Sequence, residues 1–206
     1  MQQSQPEVIR CEWCGKDPDY VRYHDQEWGF PQRDSQRLFE FLILEGAQAG
    51  LSWITILRKR EGYRAVFDDF NPESLAAWSD SQVENALRSP LIVRNRLKIN
   101  SVRQNAQAVM ALHASGTTLS DYLWRFVDDE PLVNHWRHVD EVPARTDLST
   151  GISKDMKKRG FAFVGPTIIY AFMQATGMVN DHITGCFRHP DNRQGPSQSP
   201  IAGHPL

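Results

Sequence analysis

Apolar positions recur at helical intervals along most of the chain. Leu38, Phe41, Leu42 and Glu45 follow Asp34 and Ser35, either of which can cap the helix that they imply. Between Arg94 and His113, the residues Leu97, Ile99, Val102, Ala106, Val109 and Leu112 keep roughly helical spacing and predict a long helix with one apolar face. Punctuation agrees with this reading. Asn71-Pro72 fits an N-cap followed by proline at the first helical position. Ser79-Asp-Ser-Gln82 fits a capping box, and Thr118 with Asp121 can open a helix through Leu119, Tyr122, Leu123 and Phe126. No run alternates with the period of a strand, no Asn-Gly dipeptide marks a hairpin, and no internal repeat occurs. The pattern predicts an all-α fold.

One segment has a more particular grammar. Residues 153–177 read as a basic helix ending at Gly160, a short turn from Phe161 to Gly165, and an apolar helix that starts with Pro166 and stops at Gly177. The start of that second helix exposes unpaired N–H groups suited to a phosphate, with Lys157, Lys158 and Arg159 close in sequence. Spacing alone slightly favours a plain helical hairpin with a solvated basic face.

Composition narrows the classes. The chain has 206 residues, 40% of them hydrophobic and 10% aromatic, enough for one substantial core or two small lobes around a cleft. No apolar run approaches a membrane span, and the first ten residues lack the apolar core of a signal peptide, so a soluble cytoplasmic monomer is expected. Residues 1–8 and the Pro-, Ser-, Gln- and Gly-rich tail 190–206 are expected to be disordered, leaving 9–189 as a single domain. The net charge of −2 argues against a protein coated in nucleic acid but allows a local basic face.

Three cysteines, Cys11, Cys14 and Cys186, cannot all pair with one another, which turns attention to metal chemistry. His182 and Cys186 stand four residues apart, so on one helical turn both reach a single ion. Joined by Cys11 and His24 they make a closed tetrahedral zinc shell. By spacing, Cys11, Cys14, His182 and Cys186 serve equally well, and three free core thiols are the plainer alternative. Either metal set fastens the first segment of the chain to the last and leaves no open catalytic position.

A ligand pocket is the other chemical signal. Glu45 continues an apolar helical stripe and is followed by Gly46-Ala-Gln-Ala-Gly50-Leu-Ser-Trp53, while Trp13, Tyr20, Tyr23 and Trp28 crowd the N-terminal segment. A carboxylate among aromatic faces suits a flat cationic base. Glu45 ending its helix in solvent, with the aromatics as core, is the competing reading.

Four stretches carry a resemblance. Tyr20 to Gly29 (YVRYHDQEWG), Leu44 to Thr55 (LEGAQAGLSWIT), Lys157 to Gly165 (KKRGFAFVG) and Met178 to Cys186 (MVNDHITGC) are similar to motifs of the 3-methyladenine DNA glycosylase I family, in the family's order and over about residues 10 to 188. The resemblance implies a two-lobed helix-hairpin-helix glycosylase fold with one structural zinc. It matches the ligands to Cys11, His24, His182 and Cys186 and leaves Cys14 as a departure. It implies that Glu45, Tyr23 and Trp53 form the base pocket with Trp13 and Tyr20 close by, Glu45 and Tyr23 serving catalysis. Gly50 and Leu51 would enter the gap left in the duplex. Gly160, Phe163 and Gly165 would grip the backbone beside Lys157, Lys158 and Arg159. The superfamily's usual catalytic Asp falls on Asn180 here, which leaves the role of neighbouring Asp181 open. The implied partners are alkylated double-stranded DNA and free 3-methyladenine as product. A zinc-stabilised module that binds damaged DNA without cutting it is the alternative.

Overall fold

The structure, a computed structural model, describes residues 8–192. Helices dominate: α1 Pro18–Gln26, α2 Ser35–Gln48, α3 Trp53–Leu57, α4 Arg60–Val66, α5 Pro72–Ala76, α6 Asp80–Arg88, α7 Arg96–Ala114, α8 Leu119–Trp124, α9 Asp147–Lys158 and α10 Pro166–Ala175. The caps lie where the sequence places them. Asp34, rather than Ser35, caps α2 by accepting the Arg37 N–H, and Asn71 caps α5 ahead of Pro72. The Ser79/Gln82 capping box opens α6, and Thr118 caps α8 through the Asp121 N–H.

α2 is buried continuously from Leu38 to Ala47, the mark of a helix surrounded by protein. It packs against α10, which also lies against α9. α7 packs along α5, with Ile99, Val102, Ala106, Val109 and Leu112 buried. Leu97 departs from the predicted stripe: it sits in the first turn of α7, beyond the packed region, and is 70% exposed.

Two short strands also depart from the sequence reading. β1 Leu132–Val133 pairs in parallel with β2 Val179–Asn180. Two-residue strands carry too little alternation to be read from sequence. The pairing continues as the Asn134 N–H donates to the Asn180 carbonyl and the Thr184 N–H to that of Trp136, which fixes the C-terminal segment beside 134–136.

The tail expected to begin at Pro190 contains a 3-10 turn, Pro190–Asn192, whose Asn192 Nδ2 donates to the Thr184 and Cys186 carbonyls. Residues 1–7 and 193–206, the rest of the two segments expected to be disordered, lie outside the described residues. Among the described residues, no helix is long and apolar enough to cross a membrane.

Candidate active site

A cavity of about 370 Å³ opens between the N-terminal segment with α1, the ends of α2 and α3, and the face of α10 with residues 139–144. Trp13, Tyr20, Tyr23, Glu45 and Trp53 all line it, so the five pocket residues named from sequence converge. Tyr23 and Trp53 place their rings 5.4 Å apart, and Trp13 meets Tyr20 edge-on at 5.1 Å. The indole N–H groups of Trp13 and Trp53 are buried and find no acceptor among the described residues. Tyr23 is buried and is pushed up by burial and then by the nearby Glu45 carboxylate, so its hydroxyl stays protonated and able to donate.

Glu45 is the unusual member. Its helix carries two buried acids. Glu40 accepts from Arg60 Nε at 2.6 Å and Arg37 Nη1 at 2.7 Å, with Arg64 at 2.9 Å, and despite burial these guanidiniums hold it below the ordinary carboxylate range. Glu45 is 4% exposed, and no described residue donates a hydrogen bond to it. Burial alone raises its carboxyl from 4.5 to about 8. An acid left without a partner on a cavity wall is a site held for a cationic or hydrogen-bond-donating ligand.

Asp181 also lines the cavity but is committed elsewhere. Its Oδ1 accepts from Asn134 Nδ2 at 2.7 Å and Trp136 Nε1 at 2.9 Å, and its Oδ2 accepts from Tyr170 Oη at 2.6 Å and Gln174 Nε2 at 2.8 Å. Four donors satisfy both oxygens, so Asp181 orders the cavity wall. The aligned Asn180 is buried in β2, its Oδ1 accepting the His182 N–H at 3.3 Å. Tyr170, Gln174 and the 139–144 segment escaped the sequence reading, because nothing local marks an apolar-helix residue or an irregular loop as a pocket wall.

The four residues expected to hold a metal meet beside this cavity. The ligand atoms of Cys11, His24, His182 and Cys186, all buried, lie within 4.8 Å of one another. Cys11 Sγ is 3.5 Å from His182 Nδ1, and Cys186 Sγ is 3.4 Å from His24 Nε2 and 3.6 Å from His182 Nδ1. Sulfur at about 2.3 Å and nitrogen at about 2.05 Å from a tetrahedral ion give sulfur–nitrogen edges of about 3.5 Å, so the cage fits such an ion. Both imidazoles are oriented for it. His24 Nδ1 bonds Asp25 Oδ1 at 2.8 Å, itself clamped by Arg10, and His182 Nε2 bonds the Trp28 carbonyl at 3.2 Å, which turns His24 Nε2 and His182 Nδ1 toward the sulfurs; His24 Nε2 also accepts the Cys11 N–H at 3.3 Å. The Cys11 thiol bonded to Cys186, with both histidines, pulls the Cys186 thiol down, while that bond and burial push Cys11 up. A cation at the centre would favour the thiolate form of both sulfurs.

Two expectations are refined here. His182 and Cys186 come together through an irregular turn, closed by the Cys186 N–H to the Ile183 carbonyl, and not on a helix. Cys14 is buried, but its thiol points to the Cys11 carbonyl at 3.2 Å and stays outside the cage.

Just past the C-terminal end of α2, the chain turns at Gly50, whose φ of +80° suits glycine, and presents Leu51 at 40% exposure. The helix–turn–helix forms as predicted. α9 closes through the Gly160 N–H to the Lys157 carbonyl and the Phe161 N–H to that of Met156, with Gly160 at φ +90°. Phe161 and Val164 are buried, Ser153 Oγ donates to the Val164 carbonyl at 2.6 Å, and Phe163 adopts φ +54°, uncommon for a bulky residue. Gly165 caps α10. Lys157 and Lys158 are exposed and form no ion pair among the described residues. Arg159 differs: it binds Asp155 Oδ2 at 2.9 Å and lies over Tyr122, so part of its charge is spent within the protein.

Solved structures give this arrangement its class. The chain superposes on a crystal structure of 3-methyladenine DNA glycosylase I with a TM-score of 0.87 and 50% identity, covering 88% of this chain and 100% of that one. A Staphylococcus aureus structure, described as the structural basis of 3-methyladenine recognition, matches at a TM-score of 0.85 and 35% identity, covering 91% and 98%. The chain belongs to the methyladenine glycosylase family, whose sequence pattern matches residues 13–189. The DNA-3-methyladenine glycosylase 1 of Escherichia coli (strain K12) is 48% identical over 184 residues, 89% of this chain and 98% of that protein.

Proposed function

We propose that this chain is a monofunctional DNA glycosylase that removes 3-methyladenine from alkylated double-stranded DNA, releasing the free base without breaking the strand. The observation that carries the reading is the contrast on α2: Glu40 is matched by three arginines, while Glu45 is left desolvated and without a donor among aromatic faces. Methylation at N3 puts a positive charge on adenine. The flipped base supplies what Glu45 lacks, a cationic ring and an amino edge that donates hydrogen bonds. Trp53 and Tyr23 supply flat faces, with Trp13 and Tyr20 at the rim.

The chemistry follows from the charge. Cleavage of the glycosidic bond releases a neutral base, so the leaving group needs little further activation. Glu45 stabilises the cationic base as it is recognised, Tyr23 donates into the pocket, and as the C1′–N9 bond breaks with its electron pair going to the base, water adds to the anomeric carbon and its surplus proton passes to solvent. Normal adenine brings no charge and is held more firmly by its sugar, so selectivity comes from recognition and leaving-group quality together. Asp181, with all four acceptor positions occupied, orders the wall and is not the base.

Zinc in the Cys11, His24, His182 and Cys186 cage has a structural role within a two-lobed helix-hairpin-helix glycosylase. When bound it supplies a permanent crosslink between the two ends of the chain, and its closed shell offers no position to a substrate. The protein acts as a cytoplasmic monomer at the chromosomal DNA of a bacterium. Incubation with methylated duplex tests the assignment. Free 3-methyladenine should appear with the strand intact; binding of damaged DNA with no base released marks a non-catalytic module.

Lys157 and Lys158, with the Gly160–Gly165 turn, hold the DNA backbone. Reversing both lysines to Glu is expected to weaken binding of every duplex sequence equally and to flatten the salt dependence by about one log unit per phosphate lost. Unchanged affinity removes this face from the interface.

Gly50 and Leu51 enter the gap that the flipped nucleotide leaves. Because Leu51 is already 40% exposed, Leu51→Ala is expected to change stability by less than about 0.5 kcal/mol. It should slow excision from duplex roughly tenfold, in line with losing one apolar plug. A substantial drop in melting temperature points to a packing role instead.

A further inference from the structure

Lys98 stands at the back of the Gly50–Leu51 turn. Its Nζ donates to the Ala47 carbonyl at 2.8 Å and to the Ala49 carbonyl at 2.6 Å, two of the last acceptors of α2. It forms no ion pair with a carboxylate among the described residues, and burial lowers its pKa. A lysine drawn off the surface to bind only backbone oxygens satisfies the carbonyls that the end of a helix leaves open and places a positive charge at the negative end of its dipole.

Two turns further along α7, Asn105 does the same for the hairpin. Its Nδ2 donates to the Ala162 carbonyl at 3.1 Å and its Oδ1 accepts the Ala162 N–H at 2.7 Å, while Gln104 Nε2 donates to the Gly160 carbonyl at 2.7 Å. Seven residues of α-helix separate Lys98 and Asn105, about 10 Å on one side of α7. The turns are also packed through α2: a Cβ at Gly46 would lie 3.3 Å from Phe163 Cβ. One rigid helix thus holds two loops that belong to distant parts of the sequence.

We propose that Lys98 is a positioning residue for excision: it fixes the Leu51 turn at a set distance from the hairpin, so that the plug reaches the base stack while the hairpin holds the backbone. This rests on the reading of Leu51 as the plug. Lys98 itself touches neither the base nor the DNA.

The test is a double-mutant cycle on excision from duplex, with Lys98→Met to keep the packed stem and Lys98→Gln to keep one donor. Lys98→Met is expected to lower kcat about tenfold, Lys98→Gln less, and both to leave free 3-methyladenine affinity and zinc content unchanged. In a Leu51→Ala background, Lys98→Met should cost less than twofold, because a mispositioned plug that is already missing has nothing left to lose. The salt slope of DNA binding should not move, whereas a phosphate-binding lysine would lower it by about one. An undiminished tenfold loss in the Leu51→Ala background, a changed salt slope, or full activity in Lys98→Met overturns the proposal. If Leu51→Ala alone excises normally, the plug reading fails, and that outcome is visible without any Lys98 variant.

Discussion

Glu45→Gln is expected to fold and to bind free 3-methyladenine ten- to a hundredfold more weakly. The amide keeps the size of the side chain, loses the charge, and turns a donor toward an amino group that also donates; facing donors in a buried site cost on the order of 1–3 kcal/mol. Excision should fall at least as far, because the base in the substrate nucleotide carries the positive charge that the neutral free base has lost, and Glu45 is what faces it. The same variant has a stability signature of opposite sign. The Glu45 carboxyl titrates at about 8 when folded, against about 4.5 in an unfolded chain. The folded state therefore binds the extra proton between these values, and the contribution of Glu45 to stability is full below about 4.5 and lost as pH rises through about 8. Glu45→Gln should then melt higher than the wild type at pH 8–9 and about equally near pH 4.5. In the wild type, kcat/KM should rise with pH through about 8 as the free enzyme's carboxyl ionises, and the variant should lose that limb. Trp53→Ala should weaken the free base through lost stacking while retaining the pH dependence. A variant with unchanged affinity and an unchanged pH profile removes Glu45 from recognition.

Loss of the metal cage is expected to have the largest effect on stability. His182→Ala or Cys186→Ala should abolish tight zinc binding and cost more than ~4 kcal/mol, since binding of a structural metal is folding free energy and these ligands join residues 11–24 to 182–186. A chelator should lower the melting temperature of the wild type and have little further effect on either variant. Because both thiols must lose their protons to the ion, apparent affinity should fall as pH falls. Cys14→Ala should retain one zinc per chain, its thiol being bonded to the Cys11 carbonyl outside the cage. Elemental analysis alongside thermal melting checks all of these. Zinc retained by His24→Ala but lost by Cys14→Ala would show the ligand set to be wrong.

Much of the fold was written locally. Asn71-Pro72, Ser79 with Gln82, and Thr118 with Asp121 determined where helices begin, because a cap is made by residues within one turn of each other. The Gly160 turn between a basic and an apolar helix was legible for the same reason, and so was the apolar face on which Glu45 lies. The four motifs carried the family and, with it, residues that line the cavity and those of the Cys/His cluster. What local signals left open was partnership. Glu40 and Glu45 are both acids on the buried helix α2, and only the fold brings Arg60 and Arg64 to the first and an aromatic cavity to the second. His24 and Cys14 were equal candidates by spacing; the resemblance pointed to His24, and the tertiary structure turns its ring toward Cys186 and the Cys14 thiol away. Nothing local shows the partners of Asp181, which Asn134 and Trp136 become beside the β1–β2 pairing, and Leu97 fitted the stripe of α7 but lies past the end of the core. Sequence determines which groups are present and how the backbone beneath them coils. Their desolvation, and the donors and charges that reach them, depend on contacts between segments far apart in the chain, and those only the folded structure decides.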